Sequence, residues 1–283
     1  MPELPEVETI AHALRDGGSN YQTSVIGQEV QSALVLWPRS LAMPSKEEFV
    51  RRIRRKLNTG VSRRGKYLNF SLSEESLLFF HLRMSGNLRL EPAEGASGTP
   101  KPFKKHDRLV LIFTNGMRLV FNDPRKFGRI WLTNQAEEVI GELGPEPLDE
   151  ELTADRFYRM LKGRKRQLKP LLMDQTFLAG LGNIYTDEAL HLAKLHPLTK
   201  SSDLNKMEAA RLLEAIQAVL SEGIQRNGAS IDWVYQGGEF QNNFRVYGRK
   251  GKPCPACGTA IERLVVSQRG TYICPNCQKV RGC

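Results

Sequence analysis

Apolar positions near the start of the chain recur with a helical period. Four of them lie at spacings of three and four residues, which places them on one face of a helix. They are Val7, Ile10, Ala11 and Leu14. Pro5 suits a first helical turn, where its missing N–H is not needed, and Gly17-Gly18 ends the pattern. The pattern predicts a helix over residues 5–15.

The pattern changes between residues 23 and 133, where short apolar runs rich in β-branched and aromatic residues alternate with turn residues. Asn115-Gly116 lies between two of these runs and indicates a hairpin. A basic helix is expected over 46–57, and a loop over 91–105. The predicted strands are 28–36, 67–72, 77–81, 87–90, 109–113, 118–122 and 129–132. Many short strands with turns between them predict a β-sandwich or a barrel.

The second half of the chain has a helical pattern. Glycines and prolines over 141–150 predict an interdomain linker, and 151–228 is helical in character. The clearest helix covers 207–223, where apolar residues form a stripe at helical spacing. Residues 229–245 contain Gly237-Gly238 and predict a loop. The chain therefore divides into a β-rich half and a helical half that ends in a cysteine module.

Charge adds a candidate partner to this picture. The 283-residue chain carries a formal charge of +10, and its basic residues cluster over 51–56, 63–66 and 162–169. Such clusters suit a polyanion, although any one of them alone would fit an ordinary solvated face. The sequence has no apolar run of the roughly 20 residues that cross a bilayer, no amphipathic anchor and no signal peptide. Nucleic acid is therefore the expected partner, rather than a membrane.

Cysteines are confined to the end of the chain, where two CxxC pairs are separated by 16 residues. The pairs are Cys254 with Cys257 and Cys274 with Cys277. This spacing predicts one structural Zn²⁺ bound by four thiolates, with two disulfides or a redox motif as the alternatives. Residues 261–266 and 271–273 predict a hairpin between the pairs, with Arg269 near its tip. Cys283 lies outside the zinc pattern.

The N-terminus offers a candidate nucleophile. Removal of Met1 would expose the secondary amine of Pro2, and α-amino groups have pKa values of about 8. The positive end of the predicted helix disfavours the ammonium form, and a neutral amine can form a Schiff base with a sugar C1′. Glu3 or Glu6 would move the protons. Taken alone, the same residues also fit an ordinary helix start, where proline and glutamate are common.

Three separated segments carry a family resemblance. They are Met1-Pro-Glu-Leu-Pro-Glu-Val-Glu-Thr9, Leu181-Gly-Asn-Ile-Tyr185 and the four-cysteine module. Together they resemble the formamidopyrimidine-DNA glycosylases of the Fpg/Nei family, over essentially the whole chain. The resemblance implies that Pro2 is the nucleophile, that Glu3 is the acid/base carboxylate and that Lys66 supports catalysis.

The resemblance also implies roles in binding DNA. Met84, Arg125 and Phe127 are similar to the residues that fill the gap left by an extruded base. Asn183 resembles a phosphate contact, and Arg269 resembles the finger arginine that reaches the phosphates near the lesion and acts in catalysis. His106 and Lys165 complete the expected set of DNA-binding residues. Without the resemblance, Met84 and Phe127 would be interpreted as core residues, and Arg125 as a surface turn residue.

The implied fold class is α+β, with four segments along the chain. A β-sandwich catalytic domain flanked by helices is expected over 1–135, and a linker over 136–150. A helical helix-two-turn-helix domain is expected over 151–240, and a β-hairpin zinc finger over 241–283.

The implied function is a bifunctional DNA glycosylase and lyase that removes 8-oxoguanine and formamidopyrimidines and cleaves the strand by β,δ-elimination. The start at Pro2 and the long segment 231–244 resemble the Fpg type. Two alternatives stay open: a Nei-type enzyme for oxidised pyrimidines, and a non-catalytic zinc-ribbon protein that binds damaged DNA. The expected partner is double-stranded damaged DNA, the expected state is a monomer, and the expected location is the bacterial cytoplasm, at the nucleoid.

Overall fold

The computed structural model describes residues 1–17, 23–95, 98–230 and 237–280. The chain forms two compact units. The first consists of Met1–Pro2, Glu6–Glu142 and Ser230–Gly237, and the second of Glu3–Pro5, Leu143–Ala229 and Gly238–Cys283. In the described parts of the chain, no helix is both long enough and apolar enough to cross a membrane.

The first unit contains two β-sheets that share one apolar core. Its strands are β1 (Val30–Val35), β2 (Leu41–Met43), β3 (Asn58–Arg64), β4 (Tyr67–Leu72), β5 (Leu77–His81), β6 (Asn87–Pro92), β7 (Asp107–Phe113), β8 (Met117–Asn122) and β9 (Arg129–Thr133). One sheet has the order β1-β7-β8-β6, and the other has the order β2-β9-β5-β4-β3. Phe80 of one sheet packs against Phe121 of the other, with ring centroids 5.7 Å apart. The predicted β-sandwich is therefore confirmed.

All seven predicted strands are present, with ends shifted by at most two residues. Two further strands, β2 and β3, were not predicted, because β2 has only three residues and β3 has the polar sequence NTGVSRR. The expected helix over 46–57 is shorter: α2 covers Lys46–Ile53, and the chain then turns into β3. The Asn115-Gly116 hairpin joins β7 to β8, and Gly116 adopts a φ of 80° that favours glycine.

The N-terminal helix α1 covers Leu4–Asp16. Its predicted apolar face is buried in the core of the sandwich, since Val7, Ala11 and Leu14 are fully buried there. On the outer side, Glu8 pairs with Arg63 at 2.6 Å, so this member of a basic cluster neutralises a carboxylate of its own chain.

The second unit is helical, as predicted. Its helices are α4 (Ala154–Lys162), α5 (Leu168–Leu172), α6 (Asn183–Leu192) and α7 (Lys206–Gln225), while the short α3 (Glu137–Ile140) precedes them in the first unit. The helix α7 begins with a capping box in which Asn205 and Glu208 each accept the other's backbone N–H. Its apolar stripe packs with the other helices in one core.

The predicted loop over 229–245 lies partly outside the described residues, which omit 231–236. Its last part forms a 3₁₀ turn at Phe240–Asn243, and the Phe240 ring stacks on Tyr185 with centroids 5.1 Å apart. This end of the loop is therefore anchored in the helical core. Cys283 also lies outside the described residues.

The cysteine module contains a hairpin of β10 (Glu262–Val266) and β11 (Arg269–Ile273). The second strand begins two residues earlier than predicted, so Arg269 opens the strand and pairs with Val266. Ser267 and Gln268 form the tip, with φ angles of 47° and 63°. Two positive φ angles in a two-residue connection suit the right-handed twist of a hairpin.

Candidate active site and DNA interface

The carboxylate of Glu3 is fixed at the start of helix α6. Glu3 is 3% exposed and accepts hydrogen bonds from three backbone N–H groups, which belong to Gly182 (2.8 Å), Ile184 (3.1 Å) and Tyr185 (3.4 Å). The first N–H groups of a helix have no partner inside the helix, and its N-terminus favours a negative charge. The helix therefore determines the position and the orientation of this carboxylate.

Two glycines make this approach possible. A Cβ atom at Gly182 would lie 2.3 Å from the Glu3 carboxyl carbon, and a Cβ atom at Gly180 would lie 2.5 Å from Leu4. Gly180 also has a φ of +93°, and its carbonyl accepts the Leu4 N–H at 3.1 Å. The N-terminal and mid-chain segments that carry the family resemblance therefore pack directly against each other.

Pro2 is buried and is joined to Glu3 by one peptide bond. Because Glu3 is fixed by three hydrogen bonds, the position of the Pro2 nitrogen is restrained as well. Glu6, the other carboxylate considered for proton transfer, is 2% exposed and lies in the first turn of α1.

A buried ion pair connects the helices of the second unit to the finger hairpin. Lys169 and Asp187 are each 1% exposed, and the Lys169 ammonium lies 2.7 Å from the Asp187 carboxylate. Burial raises the pKa of Asp187 and lowers that of Lys169, while their mutual attraction opposes both shifts. Asp187 also accepts the Tyr272 N–H at 2.9 Å. The sequence analysis included Lys169 in a basic cluster suited to a polyanion, but its ammonium is buried against Asp187.

The carbonyl of Gly270, next to Arg269, accepts two hydrogen bonds. The donors are the side-chain amide of Asn183 at 3.0 Å and the ammonium of Lys169 at 3.2 Å. Arg269 itself is exposed. The structure therefore brings Glu3, Asn183 and the backbone beside Arg269 together at the start of α6. Lys165 is exposed in the connection between α4 and α5.

The four cysteines of the CxxC pairs form a compact cluster with all sulfur atoms within 4.8 Å of one another. None of the four is in a disulfide. Four thiolates about 2.3 Å from a central ion are the donor set of a structural zinc site, and the cluster fits one Zn²⁺. The predicted zinc site is confirmed. His191, which the sequence analysis missed, places Nε2 3.3 Å from the Cys254 sulfur and links α6 to this cluster.

In the first unit, Lys66 lies in the turn between β3 and β4 and is 5% exposed. A neighbour of this turn, His81, was also missed by the sequence analysis. Burial, followed by the positive charges of Arg83 and Lys66, lowers the pKa of His81 to about 3. The neutral ring accepts the Arg83 N–H at 3.0 Å through Nδ1, and it packs edge-on against Tyr67 with centroids 4.6 Å apart. His81 therefore shapes the loop that follows β5.

Met84 lies on that loop and is 41% exposed, and Phe127 is 49% exposed. The guanidinium of Arg125 lies 4.9 Å from the centroid of the Phe127 ring. Met84 and Phe127 therefore face the solvent rather than the core of the sandwich.

One buried carboxylate, Asp123, holds the two loops that carry these residues. Asp123 accepts the Gly128 N–H at 2.7 Å, the Arg125 N–H at 3.2 Å and the Ser85 hydroxyl. The backbone N–H of Asp123 donates to the carbonyl of His106 at 2.9 Å, so His106 borders the loop that follows β8. Asp123 and Ser85 were not singled out from the sequence, because their role depends on contacts between distant segments.

Known protein families match this chain along most of its length. Residues 1–130 match the formamidopyrimidine-DNA glycosylase N-terminal domain, and residues 143–234 match the H2TH domain of the same enzymes. Residues 251–280 match the zinc finger found in FPG and IleRS.

Curated relatives agree with these matches. Formamidopyrimidine-DNA glycosylases of Protochlamydia amoebophila and Pelotomaculum thermopropionicum are 42% and 43% identical to the chain. Each alignment covers 99% of this chain and 100% of the relative.

Solved structures agree as well. The complex of a Lactococcus lactis FPG variant with DNA containing Fapy-dG has a TM-score of 0.89 and 35% identity. MutM in complex with DNA containing carbocyclic 8-oxo-G has a TM-score of 0.88 and 36% identity. Each alignment covers 99% of this chain and 100% of the solved chain. With this sequence similarity, this fold and this arrangement of residues, the chain belongs to the formamidopyrimidine-DNA glycosylase family.

Proposed function

We propose that this chain is a bifunctional DNA glycosylase and lyase that excises 8-oxoguanine and formamidopyrimidines and then cleaves the strand. The observation that carries this proposal is the anchoring of Glu3 beside Pro2. A glutamate held by three backbone N–H groups directly after a proline at the second position has a fixed carboxylate next to the proline nitrogen, which suits proton transfer there. Complexes of related proteins with DNA containing Fapy-dG and 8-oxo-G support the choice of substrate.

In the proposed reaction, the Pro2 amine, freed by loss of Met1, bonds to C1′ as the damaged base departs with the electrons of the glycosidic bond. The proton from the proline nitrogen passes to the Glu3 carboxylate and from there to the ring oxygen O4′. The sugar ring opens and leaves an iminium between the proline nitrogen and C1′.

The iminium acidifies the neighbouring C2′–H. Loss of this proton expels the 3′ phosphate, and a second elimination expels the 5′ phosphate. Lys66 and Arg269 support these steps through their positive charges, which stabilise the departing phosphates. Hydrolysis of the iminium then frees Pro2, and the DNA is left with a one-nucleotide gap that has phosphate at both ends.

The damaged base must leave the helix stack before this chemistry. Met84 and Phe127 are proposed to fill the void, and Arg125 to donate hydrogen bonds to the base left without a partner. His106, Lys165 and Asn183 are proposed to contact the DNA backbone.

The zinc site has a structural role in this proposal. Four thiolates complete its coordination and leave no position for a reacting water, so the ion holds the hairpin that presents Arg269.

We propose four segments along the chain: catalytic domain 1–135, linker 136–150, helix-two-turn-helix domain 151–240 and zinc finger 241–283. We further propose that the enzyme acts as a monomer on double-stranded DNA, in the bacterial cytoplasm and at the nucleoid.

Cleavage of two duplexes tests this function. One carries 8-oxoguanine opposite cytosine, and the other carries thymine glycol opposite adenine. We expect faster cleavage of the first duplex, with phosphate at both new ends, and no cleavage by protein that retains Met1, because its Pro2 nitrogen is then part of a peptide bond. Faster cleavage of the thymine glycol duplex would instead support a Nei-type enzyme. Tight binding without cleavage of either strand would support a non-catalytic damage-binding protein.

A further inference from the structure

A groove of about 460 Å³ on the first unit has a strongly basic lining. Its lining residues are Arg51, Arg52, Arg54, Arg55, Lys56, Glu74, Ser76 and Asn134. Among the residues that the structure describes, the carboxylates in contact with these bases are those of Glu74 and of Glu48, which lies 3.3 Å from Arg51 and 3.8 Å from Arg52. Five positive charges therefore face two negative ones, and the groove keeps a net positive charge.

The groove lies at the opposite end of the five-stranded sheet from Lys66. Lys66 directly precedes β4. At this end of the sheet, Tyr67 pairs with His81, and His81 pairs with Arg129. The groove is formed beyond the other ends of the same strands, where Leu77 pairs with Thr133. Since a strand rises about 3.3 Å per residue, the length of β4 alone separates the two ends by about 17 Å.

Several basic side chains in the groove are held in place. Arg52 donates to the Asn134 side chain at 2.8 Å, and Lys56 pairs with Glu74 at 2.6 Å. Arg55 occupies the turn after α2. Its φ of 64° is a value that residues other than glycine rarely adopt. The backbone N–H of Arg55 donates to the Val30 carbonyl at 2.8 Å, which fixes this turn against β1.

The composition of the lining selects among anionic partners. Four of its five bases are arginines, whose planar guanidinium groups bind phosphates through two hydrogen bonds. The lining residues that the structure describes include no aromatic residue on which unpaired bases would stack, and no apolar residue to anchor a peptide or enter a membrane. Contacts to the phosphate backbone of a duplex need none of these features.

We propose that this groove, here called the distal groove, binds the phosphate backbone of a second DNA duplex while the active site holds the damaged one. The inference rests on the proposed function for the first duplex only. Two DNA segments held at once would allow the enzyme to pass from one to the other without release into solution. The distal groove therefore acts in the search for damage, and its loss leaves excision from a short duplex unchanged.

The test uses the full-length zinc-bound protein and a variant with Arg51→Gln, Arg54→Gln and Arg55→Asn. Asparagine is chosen at position 55 because it tolerates a positive φ. The matched control removes three basic residues that lie outside the groove, each in an exposed ion pair: Arg15→Gln, Arg156→Gln and Lys206→Gln. Each protein is bound to a short bead-linked duplex that carries an abasic-site analogue, and capture of a labelled undamaged duplex is measured.

We expect the wild-type protein and the control to capture the second duplex, and the groove variant to capture at least tenfold less. With three phosphate contacts, capture by the wild-type protein weakens about 40-fold between 50 and 200 mM salt. Equal capture by the groove variant and the control would overturn the proposal. So would capture of phosphatidylserine vesicles, but not of a second duplex, by the wild-type protein.

Cleavage of a short 8-oxoguanine duplex is measured in parallel, and we expect equal rates for the three proteins. If none of them cleaves this duplex, the proposed function fails. Capture that is lost only in the groove variant would still support the distal groove in that case, so the two failures are distinguishable.

Discussion

Substitution of Gly182 by alanine would displace the Glu3 carboxylate with little other change. Gly182 has an extended backbone, with φ −130° and ψ −156°, which alanine adopts without strain. The added Cβ atom would lie 2.3 Å from the Glu3 carboxyl carbon and 2.4 Å from one carboxylate oxygen. Ordinary contacts begin at 3.4 Å, so the carboxylate must move by about 1 Å.

A shift of about 1 Å in a catalytic group can lower a rate about 100-fold. The same shift lengthens the hydrogen bonds from the start of α6, and each bond to a charged group contributes about 1.5–3 kcal/mol. Loss of one of the three would lower the free energy of unfolding by about that amount. We therefore expect a roughly 100-fold slower single-turnover excision of 8-oxoguanine and a modest decrease in Tm.

Gly163→Ala is the matched control. Gly163 follows α4 with a φ of −70°, and an added Cβ atom would meet its nearest neighbours at an ordinary 3.6 Å. We expect this variant to excise at the wild-type rate. If Gly182→Ala were folded and excised as fast as the control, the positioning of Glu3 by α6 would not be required for catalysis.

Three further predictions concern the rest of the site. First, burial and nearby positive charge lower the pKa of His81 from 6.5 to about 3, so the unfolded chain binds this proton at a higher pH than the folded chain. The free energy of unfolding should therefore fall by about 4–5 kcal/mol as the pH falls from 6.5 to 3. His81→Asn should flatten this part of the plot of unfolding free energy against pH, and an unchanged plot would contradict the lowered pKa of His81. Second, Asp123→Ala should weaken binding to an abasic-analogue duplex at least tenfold in a fluorescence titration, because the Arg125 and Gly128 N–H groups lose their acceptor; wild-type affinity would count against this role. Third, removal of zinc by a chelator should abolish DNA binding while the circular dichroism of the sandwich persists; unchanged binding by metal-free protein would refute the role of the finger.

Periodic features of this fold could be predicted from the sequence. The apolar stripe of α1, seven strands and the zinc ligands depend on local spacing, which is visible in the sequence alone. The strand β3 could not be predicted in this way, because its polar residues become a strand only by pairing with β4.

The candidate site depended more on resemblance and on contacts between distant residues. Glu3 and Gly182 are 179 positions apart, and no local pattern indicates that they touch. Lys169 lies in a basic cluster of the sequence, yet its ammonium is buried against Asp187. Charge alone does not distinguish a lysine that meets DNA from one that supports the fold, because both occur in basic stretches.

Covalent trapping at Pro2 tests the central claim most directly. The protein is incubated with an 8-oxoguanine duplex and sodium borohydride, which reduces an iminium to a stable amine, and the adduct is digested and mapped by mass spectrometry. We predict that the DNA-derived mass is on the N-terminal peptide, at the Pro2 nitrogen, and that protein retaining Met1 gives no adduct. An adduct on a lysine, or strand cleavage with no adduct at all, would contradict the account.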